Sequence, residues 1–440
     1  MGHVHSVLDY AGASWQPWLH PTNIRKLENI ANRALRMVTG QVSPTPLEAL
    51  RIEAGVQSFG ATIRQNSIRS REKALRLPAN HPRSLAFTST VRRRLPKRRD
   101  ARSVAEALSL KIPNLDTEPR VPLTYFNVPP WAKGIGAVQV HPTLPGITSR
   151  SADQEDIRQA ARRRFAEIGA EINIFTDGSA LGGTTEGGAA VVITRGSLDQ
   201  PEVVTTISAK GASYTCSYEE EKQAMTMAVK WIGDNTSGGE VVAIFTDSQS
   251  LCSALLHSPP GLDTLSEAMA GLKNPVTIQW IPGHSKIPGN ELADAAAKAA
   301  TNLPDAGRGL AYGGVCSTIR ATFGDPPTKH LRTAEAYCAL NRGREQRLIT
   351  SRRDQTLLAQ LRAGKCMSLR AYRNSVDPNT DPTCDLCGLA PQDVEHWVRD
   401  CPATLQQRRN LFGPDGGGLD CLSRFPLEVV ALARATLGAT

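Results

Sequence analysis

The sequence predicts an α/β fold, a mixed sheet flanked by helices in the middle of the chain with helical segments on either side. Three observations predict it. Short apolar runs bounded by Gly-rich or polar turns recur between Ile172 and Ile281, as strands do. Apolar residues recur at helical spacing between those runs and on both flanks. Four carboxylates fall in four motifs of the same stretch: Asp177 in IFTDGS, Glu221 in YEEEKQAMTMAVKWI, Asp247 in VVAIFTDSQS and Asp294 in WIPGHSKIPGNELADAAAKAA. Such an acidic set suits hard divalent cations, because Mg²⁺ takes oxygen ligands and leaves positions for substrate phosphates.

Residues 1–77 read as a helical segment. In PTNIRKLENIANRALRMVTG the residues Ile24, Leu27, Ile30, Ala34, Leu35 and Val38 keep helical spacing, and Gly40 supplies a stop. Thr45-Pro46-Leu47-Glu48 combines an N-cap, a proline at the first helical position and a capping-box glutamate, with Gly55 as the terminator. A third helix is predicted over SFGATIRQNSIRSREKALRL. Residues 78–150 read as a Pro-rich basic linker with the run RRRLPKRR from Arg92 to Arg99. Ser151 and Gln154 then form a capping-box pattern opening a helix that leads the central domain, 151–305.

In that domain INIFTDGS, GGAAVVITRG and EVVTTISAKG predict a three-strand meander, followed by a helix from Ser217 to about Ile232. VVAIFTD and VTIQWI predict two further strands, with SQSLCSALLHS and LDTLSEAMAGL as short helices between them and ELADAAAKAA as the closing helix. Residues 306–440 read as an Arg-rich, mostly helical tail.

Composition narrows the function. At 440 residues, two or three domains are expected. No apolar run approaches the roughly eighteen residues of a membrane span, so no membrane partner is expected. Nine cysteines without a secretory leader favour thiols and metal ligands over disulfides, and an intracellular location, nuclear or cytoplasmic. The net charge of +9 is unevenly spread: Glu171 to Asp305 holds 7 Lys plus Arg against 16 Asp plus Glu, leaving +18 on the remainder. The basic flanks are the expected footprint for a polyanion.

Asp177 and Asp247 each follow an apolar run and read as strand-end residues, where sheets present functional groups. Glu221 shares a helix face with Ala224, Ala228 and Trp231, and Asp294 is placed in the first turn of the last helix. Glu219 and Glu220 read as helix N-terminal charge.

Together TDGS, the helix glutamate, TDSQ and GHSKIPGNELAD resemble the four signature blocks of type 1 ribonuclease H, over roughly Ile172 to Ala300. The resemblance implies a ribonuclease H-like five-stranded sheet and cleavage of the RNA strand of RNA–DNA hybrids. It implies Asp177, Glu221, Asp247 and Asp294 as ligands of two Mg²⁺ ions, replaceable by Mn²⁺, roughly 4 Å apart. The helix glutamate is Glu221 because Ala228-Val229 supplies the small-then-apolar pair seven residues on. His284 matches the family's mobile histidine, which serves proton transfer or product release. Gly178, Ser179 and Gln249 are the expected substrate contacts. Only 36 residues separate Asp247 from His284, leaving little room for the basic helix that cellular members insert there.

The tail holds Cys384-x₂-Cys387-x₈-His396-x₄-Cys401, a donor set and spacing suited to tetrahedral Zn²⁺, with Cys366 as an alternative ligand. Such a site binds nucleic acid or folds the tail. The segment order, with YAGASWQPW, TPLEALRIEAG and Pro129–Trp131, resembles the C-terminal part of a non-LTR retrotransposon polyprotein, residues 1–77 matching its post-palm region. No Asp-Asp pair of a polymerase site is present. The expected partners are an RNA–DNA hybrid, single-stranded RNA or DNA, and the reverse transcriptase of the same element. The alternative is a non-catalytic nucleic-acid-binding or assembly module of the same origin.

Overall fold

The computed structural model describes residues 10, 12–16, 19–88, 101–123, 135–147, 154–257, 262–304, 307–325 and 331–438. They fall into two compact units, one of Met1–Asn66 with Gly324–Thr440 and the other of Ser67–Phe323. The basic run Arg92–Arg99, Pro129–Trp131, Ser151 and part of the Tyr10–Trp18 stretch lie outside the described residues.

The Ser67–Phe323 unit is built on one sheet of β1 (Gln139–His141), β2 (Ile172–Leu181), β3 (Thr185–Gly196), β4 (Pro201–Lys210), β5 (Val242–Thr246) and β6 (Val276–Trp280), in the order β1-β6-β5-β2-β3-β4. The expected meander forms β2, β3 and β4, antiparallel throughout. Gly182 and Gly183, both at positive φ, turn the chain between β2 and β3. β5 and β6 run parallel to β2. Every residue of β5 is buried, which is why VVAIFTD reads as a continuous apolar run rather than an alternating one.

The sheet has six strands, not the expected five. The extra strand, β1, comes from the segment read as linker and pairs in parallel with β6, Gln139 opposite Thr277 and His141 opposite Gln279. Three residues are too few for a periodicity to register. Their pairing covers the backbone N–H and C=O groups that β6 would otherwise present as an open edge. The same segment carries the helices Pro82–Thr88 and Ala101–Ser109.

Helices α1 (Gln154–Ile168), α2 (Ser217–Asn235), α3 (Gln249–His257), α4 (Asp263–Ala270), α5 (Pro288–Ala300) and α6 (Tyr312–Phe323) complete this unit. α2 buries Ala224, Met225, Ala228, Val229 and Ile232, one helical face. α5 buries Ala293, Ala297 and Ala300 and rides so close to the sheet that a side chain at Gly188 would collide with the Ala297 carbonyl. Phe165 of α1 stacks on Phe245 (ring centroids 5.6 Å apart), which stacks on Phe175 (5.1 Å). A second apolar cluster gathers Ile68, Ile112 and Leu115 with Leu310, Val315 and Ile319, against Ala212 and Tyr214 from the turn after β4.

In the other unit, Pro21–Thr39 is helical and ends at Gly40 in the left-handed region, as expected. The next helix, Leu47–Ala54, starts one residue late: Pro46 is its cap and no side-chain capping bond forms. Thr45 therefore sits too far out, its hydroxyl buried without a partner. Tail helices Arg352–Arg362 and Pro426–Leu437 contribute Leu358, Leu361, Val429 and Leu432 to a core shared with Ala49 and Trp397. Arg362 is fully buried there, paired with Glu53 at 2.8 Å and with Glu345. No described helix is long and apolar enough to cross a membrane.

Leu144, 1% exposed and packed in the main core just beyond β1, ties the added strand to the sheet. Leu144→Ala should destabilise this unit by about 2–4 kcal/mol, read as faster hydrogen exchange at the β6 amides; unchanged exchange would separate β1 from the fold.

Candidate active site

The strands bring the carboxylates together by ending at different heights. β2 and β5 pair as far as Thr176 opposite Thr246, where β5 stops. β2 continues to Leu181 against β3, so Asp177 lies within a strand, opposite Ala190, rather than at its end. It nevertheless clears the end of its parallel neighbour. Asp247 is the first residue after β5, and its carbonyl accepts hydrogen bonds from the Gln249 backbone N–H (3.1 Å) and Trp280 Nε1 (3.2 Å).

Glu221 comes from the first turns of α2. A side chain at Gly178 would collide with the backbone of Glu220 and Glu221, so glycine is what lets the helix start rest on β2 beside Asp177. One carboxylate oxygen from each of Asp177, Glu221 and Asp247 lies within 4.8 Å of the others. Asp294 stands apart from this triad, in the second turn of α5 rather than the first, ion-paired with Lys298 at 2.7 Å.

The electrostatic consequence is severe. Burial first, then the charges of Asp247 and Asp294, push the Asp177 carboxyl from 3.8 up to about 7. Burial, then Asp177 and Asp247, holds Glu221 well above its ordinary value. Asp247 is also raised, chiefly by burial, although His284 opposes the shift. Glu221 Oε2 is buried without a hydrogen-bond partner. Three crowded carboxylates and an orphaned oxygen are a hard-donor set that Mg²⁺ or Mn²⁺ fits, since a cation removes both the repulsion and the missing partner.

The remaining expected residues surround this cluster in different ways. His284 sits exposed on the Pro282–Ile287 loop at φ 54°, and a side chain at its neighbour Gly283 would come within 2.5 Å of Asp247 Oδ2. Ser179 is half-buried on β2, opposite Gly188. Gln249 is partly engaged within the protein, donating from Nε2 to the Pro142 carbonyl at 3.0 Å. Glu219 is paired with Lys222, but Glu220 is 1% exposed and bound to Arg308 and Thr215, so it is not simple helix-terminal charge. Sequence gave no signal for that pair, because Arg308 lies far along the chain in a segment without periodicity.

In the helical unit, the ligand atoms of Cys384, Cys387, His396 and Cys401 also lie within 4.8 Å of one another. Cys387 Sγ is 3.2 Å from His396 Nε2, and Cys384 Sγ is 3.9 Å from Cys401 Sγ. Gly388, at φ 69°, folds the first pair back by donating to the Cys384 carbonyl. Burial pushes the Cys384 thiol up to about 11, whereas the Leu389 backbone N–H holds Cys387 below its ordinary value. Cys366 is buried in the core and is not in the cluster.

A meander, a glutamate-bearing helix, two parallel strands and a closing helix thus bring the carboxylates together where β5 stops beside the longer β2. Residues 169–302 match the ribonuclease H family model, and this stretch is such a domain. Similar solved structures include RNase H1 from the halophilic archaeon Halobacterium salinarum NRC-1, 19% identical over 29% of this chain and 96% of that one, TM-score 0.24. The N-terminal RNase H domain of a Mycobacterium tuberculosis protein, solved as a fusion with maltose-binding protein, is 17% identical over 30% and 94%, TM-score 0.25. LC11-RNase H1, solved in complex with an RNA/DNA hybrid, is 21% identical over 29% and 98%, TM-score 0.25.

A carboxyl whose folded pKa is raised from 3.8 to about 7 contributes stability below pH 4 that is lost as pH rises through 7. In EDTA at pH 8, Asp177→Asn should therefore raise the Tm of this unit by about a few degrees, with little effect at pH 4. It should also blunt the Tm increase that Mg²⁺ gives the unsubstituted protein.

Proposed function

We propose that the chain is an endoribonuclease that hydrolyses the RNA strand of RNA–DNA hybrids, as part of a retroelement reverse-transcription apparatus. The observation that carries the activity is the Asp177–Glu221–Asp247 cluster, two members buried and one half-buried, with its partnerless Glu221 oxygen. A pure binding module gains nothing from crowding three carboxylates beside a polyanion. A pair of Mg²⁺ or Mn²⁺ ions bound there would lower the pKa of attacking water and offset charge on the scissile phosphate.

The chain's own residues do the rest. Asp177, Glu221 and Asp247 would hold the ions. Asp294 would complete the set, since its partner Lys298 is exposed and the pair costs little to break. His284, exposed next to Gly283, would take up a proton or assist product departure. Gly178, Ser179 and Gln249 would contact the RNA strand, where a ribose 2′-OH would distinguish RNA from DNA. The domain itself is net negative, so the basic flanks would supply attraction for the hybrid. The retroelement setting rests on the segment order and the looser sequence blocks around the domain.

Zinc is the proposed occupant of the Cys384–Cys387–His396–Cys401 site, because three thiolates and an imidazole match its preferred tetrahedral donors. Its role here is to fold the unit. Trp397, next to the ligand His396, is fully buried in the shared core, and the buried guanidinium of Arg408 donates to the Cys401 carbonyl at 3.0 Å.

With labelled substrates and Mg²⁺, the purified chain should cut an RNA–DNA hybrid and leave duplex RNA and duplex DNA intact, and Asp177→Asn and Glu221→Gln should each reduce cutting to background. Hybrid binding without cleavage would favour the binding-module reading instead. Elemental analysis should find one zinc per chain, lost in Cys387→Ser together with the protected environment of Trp397; a metal-free protein with Trp397 still buried would refute the zinc assignment.

A further inference from the structure

We propose that Arg308 is a positioning residue for the metal-binding cluster, acting through Glu220 on Glu221; the inference rests on the catalytic reading above. Glu220 and Glu221 are adjacent at the start of α2, so their side chains leave the helix about 100° apart. Glu221 faces Asp177 and Asp247, whereas Glu220 points away from them, toward Gly187 and Gly211. There its carboxylate is 1% exposed and fully engaged: Oε2 accepts from Arg308 Nη1 at 3.1 Å and Oε1 from Thr215 Oγ1 at 2.6 Å. Arg308 also donates from Nη2 to Gln223 Oε1 at 2.9 Å, so one guanidinium bridges two successive turns of α2.

The pocket is shaped for this carboxylate. Side chains at Gly187 or Gly211 would collide with it, and the backbone of the same turn rests on Gly178. The turn is thus seated on β2 at Gly178 and tied by Arg308 through the Glu220 side chain. Arg308 is itself anchored, because two residues on Leu310 is fully buried and its backbone N–H donates to the Pro119 carbonyl at 2.8 Å. A buried carboxylate that loses its cation must rearrange to find another partner. That rearrangement would move the backbone that carries Glu221. Arg308 lies beyond residues 169–302, so the clamp on the catalytic turn comes from outside the family domain.

The test uses the full chain and Mn²⁺ alone as the probe, by calorimetry, with Glu221→Gln defining which binding belongs to the cluster. Arg308→Met should weaken that binding about tenfold or more, as loss of a partner supporting a metal ligand does. It should lower kcat on the hybrid more than it raises KM. Arg308→Lys and Glu220→Gln, which keep part of the pairing, should fall between. Arg120→Met, which removes a partner of buried Glu72 in the same unit, should lower Tm yet leave Mn²⁺ affinity unchanged. Wild-type affinity and kcat in Arg308→Met would overturn the proposal. So would equal losses of affinity in Arg308→Met and Arg120→Met, which would mark a general effect of stability. If Arg308→Met does not fold, the Lys and Gln variants decide. If the unsubstituted chain fails to cut hybrid, the catalytic reading fails, while the Mn²⁺ comparison still decides the role of Arg308.

Discussion

Carboxylates crowded together and withdrawn from water are the constraint around which the Ser67–Phe323 unit is organised. Asp177, Glu221 and Asp247 crowd together where each is penalised for being charged, and Asp294 adds its field from α5. Left to relax, such groups would move apart or take up protons. The surrounding structure prevents the first. β2 and β5 are buried parallel neighbours whose hydrogen-bonded register places Asp177 and Asp247 at the same level, and α2 is pressed on β2 at a glycine. The cluster is therefore stressed in a way that bound divalent cations relieve, and the stress is the physical content of the proposed activity.

Much of the support comes from chain outside the core domain. β1 covers the edge of β6 and, through the Pro142 carbonyl, holds Gln249 just after Asp247. The Thr143 carbonyl accepts from Gln279 on the neighbouring strand, at 2.9 Å. Beyond the domain, Leu310 and α6 pack on the turn that leads into α2. The segments on either side of the ribonuclease H block are thus folded into its margins, so they brace both the Asp247 side and the Glu221 side of the cluster.

The helical unit meets a different problem. Its segments come from the two ends of the chain and share one apolar core. Two buried guanidinium groups in that core are paired: Arg362 between Glu53 and Glu345, and Arg408 among backbone carbonyls. The Cys384–Cys401 cluster lies against the same core through Trp397 and Val398, so a metal there would brace short helices that carry little intrinsic stability of their own.

The sequence by itself determined the meander, the parallel strands, the helix stops at Gly40 and Gly55, and which residue types assemble at the two clusters. These are local properties: period, turn chemistry and ligand spacing act over a few residues. Tertiary structure decided the rest. A three-residue strand leaves no periodic trace, so only pairing with β6 revealed β1. The capping box at Thr45 failed because the backbone at Pro46 took the cap position itself. Asp177 proved to lie inside its strand because β3 extends β2 beyond β5, a matter of relative strand length. The partnership of Glu220 with Arg308 could not be read from either residue's neighbourhood, since a buried charge is matched by whichever cation folding brings to it.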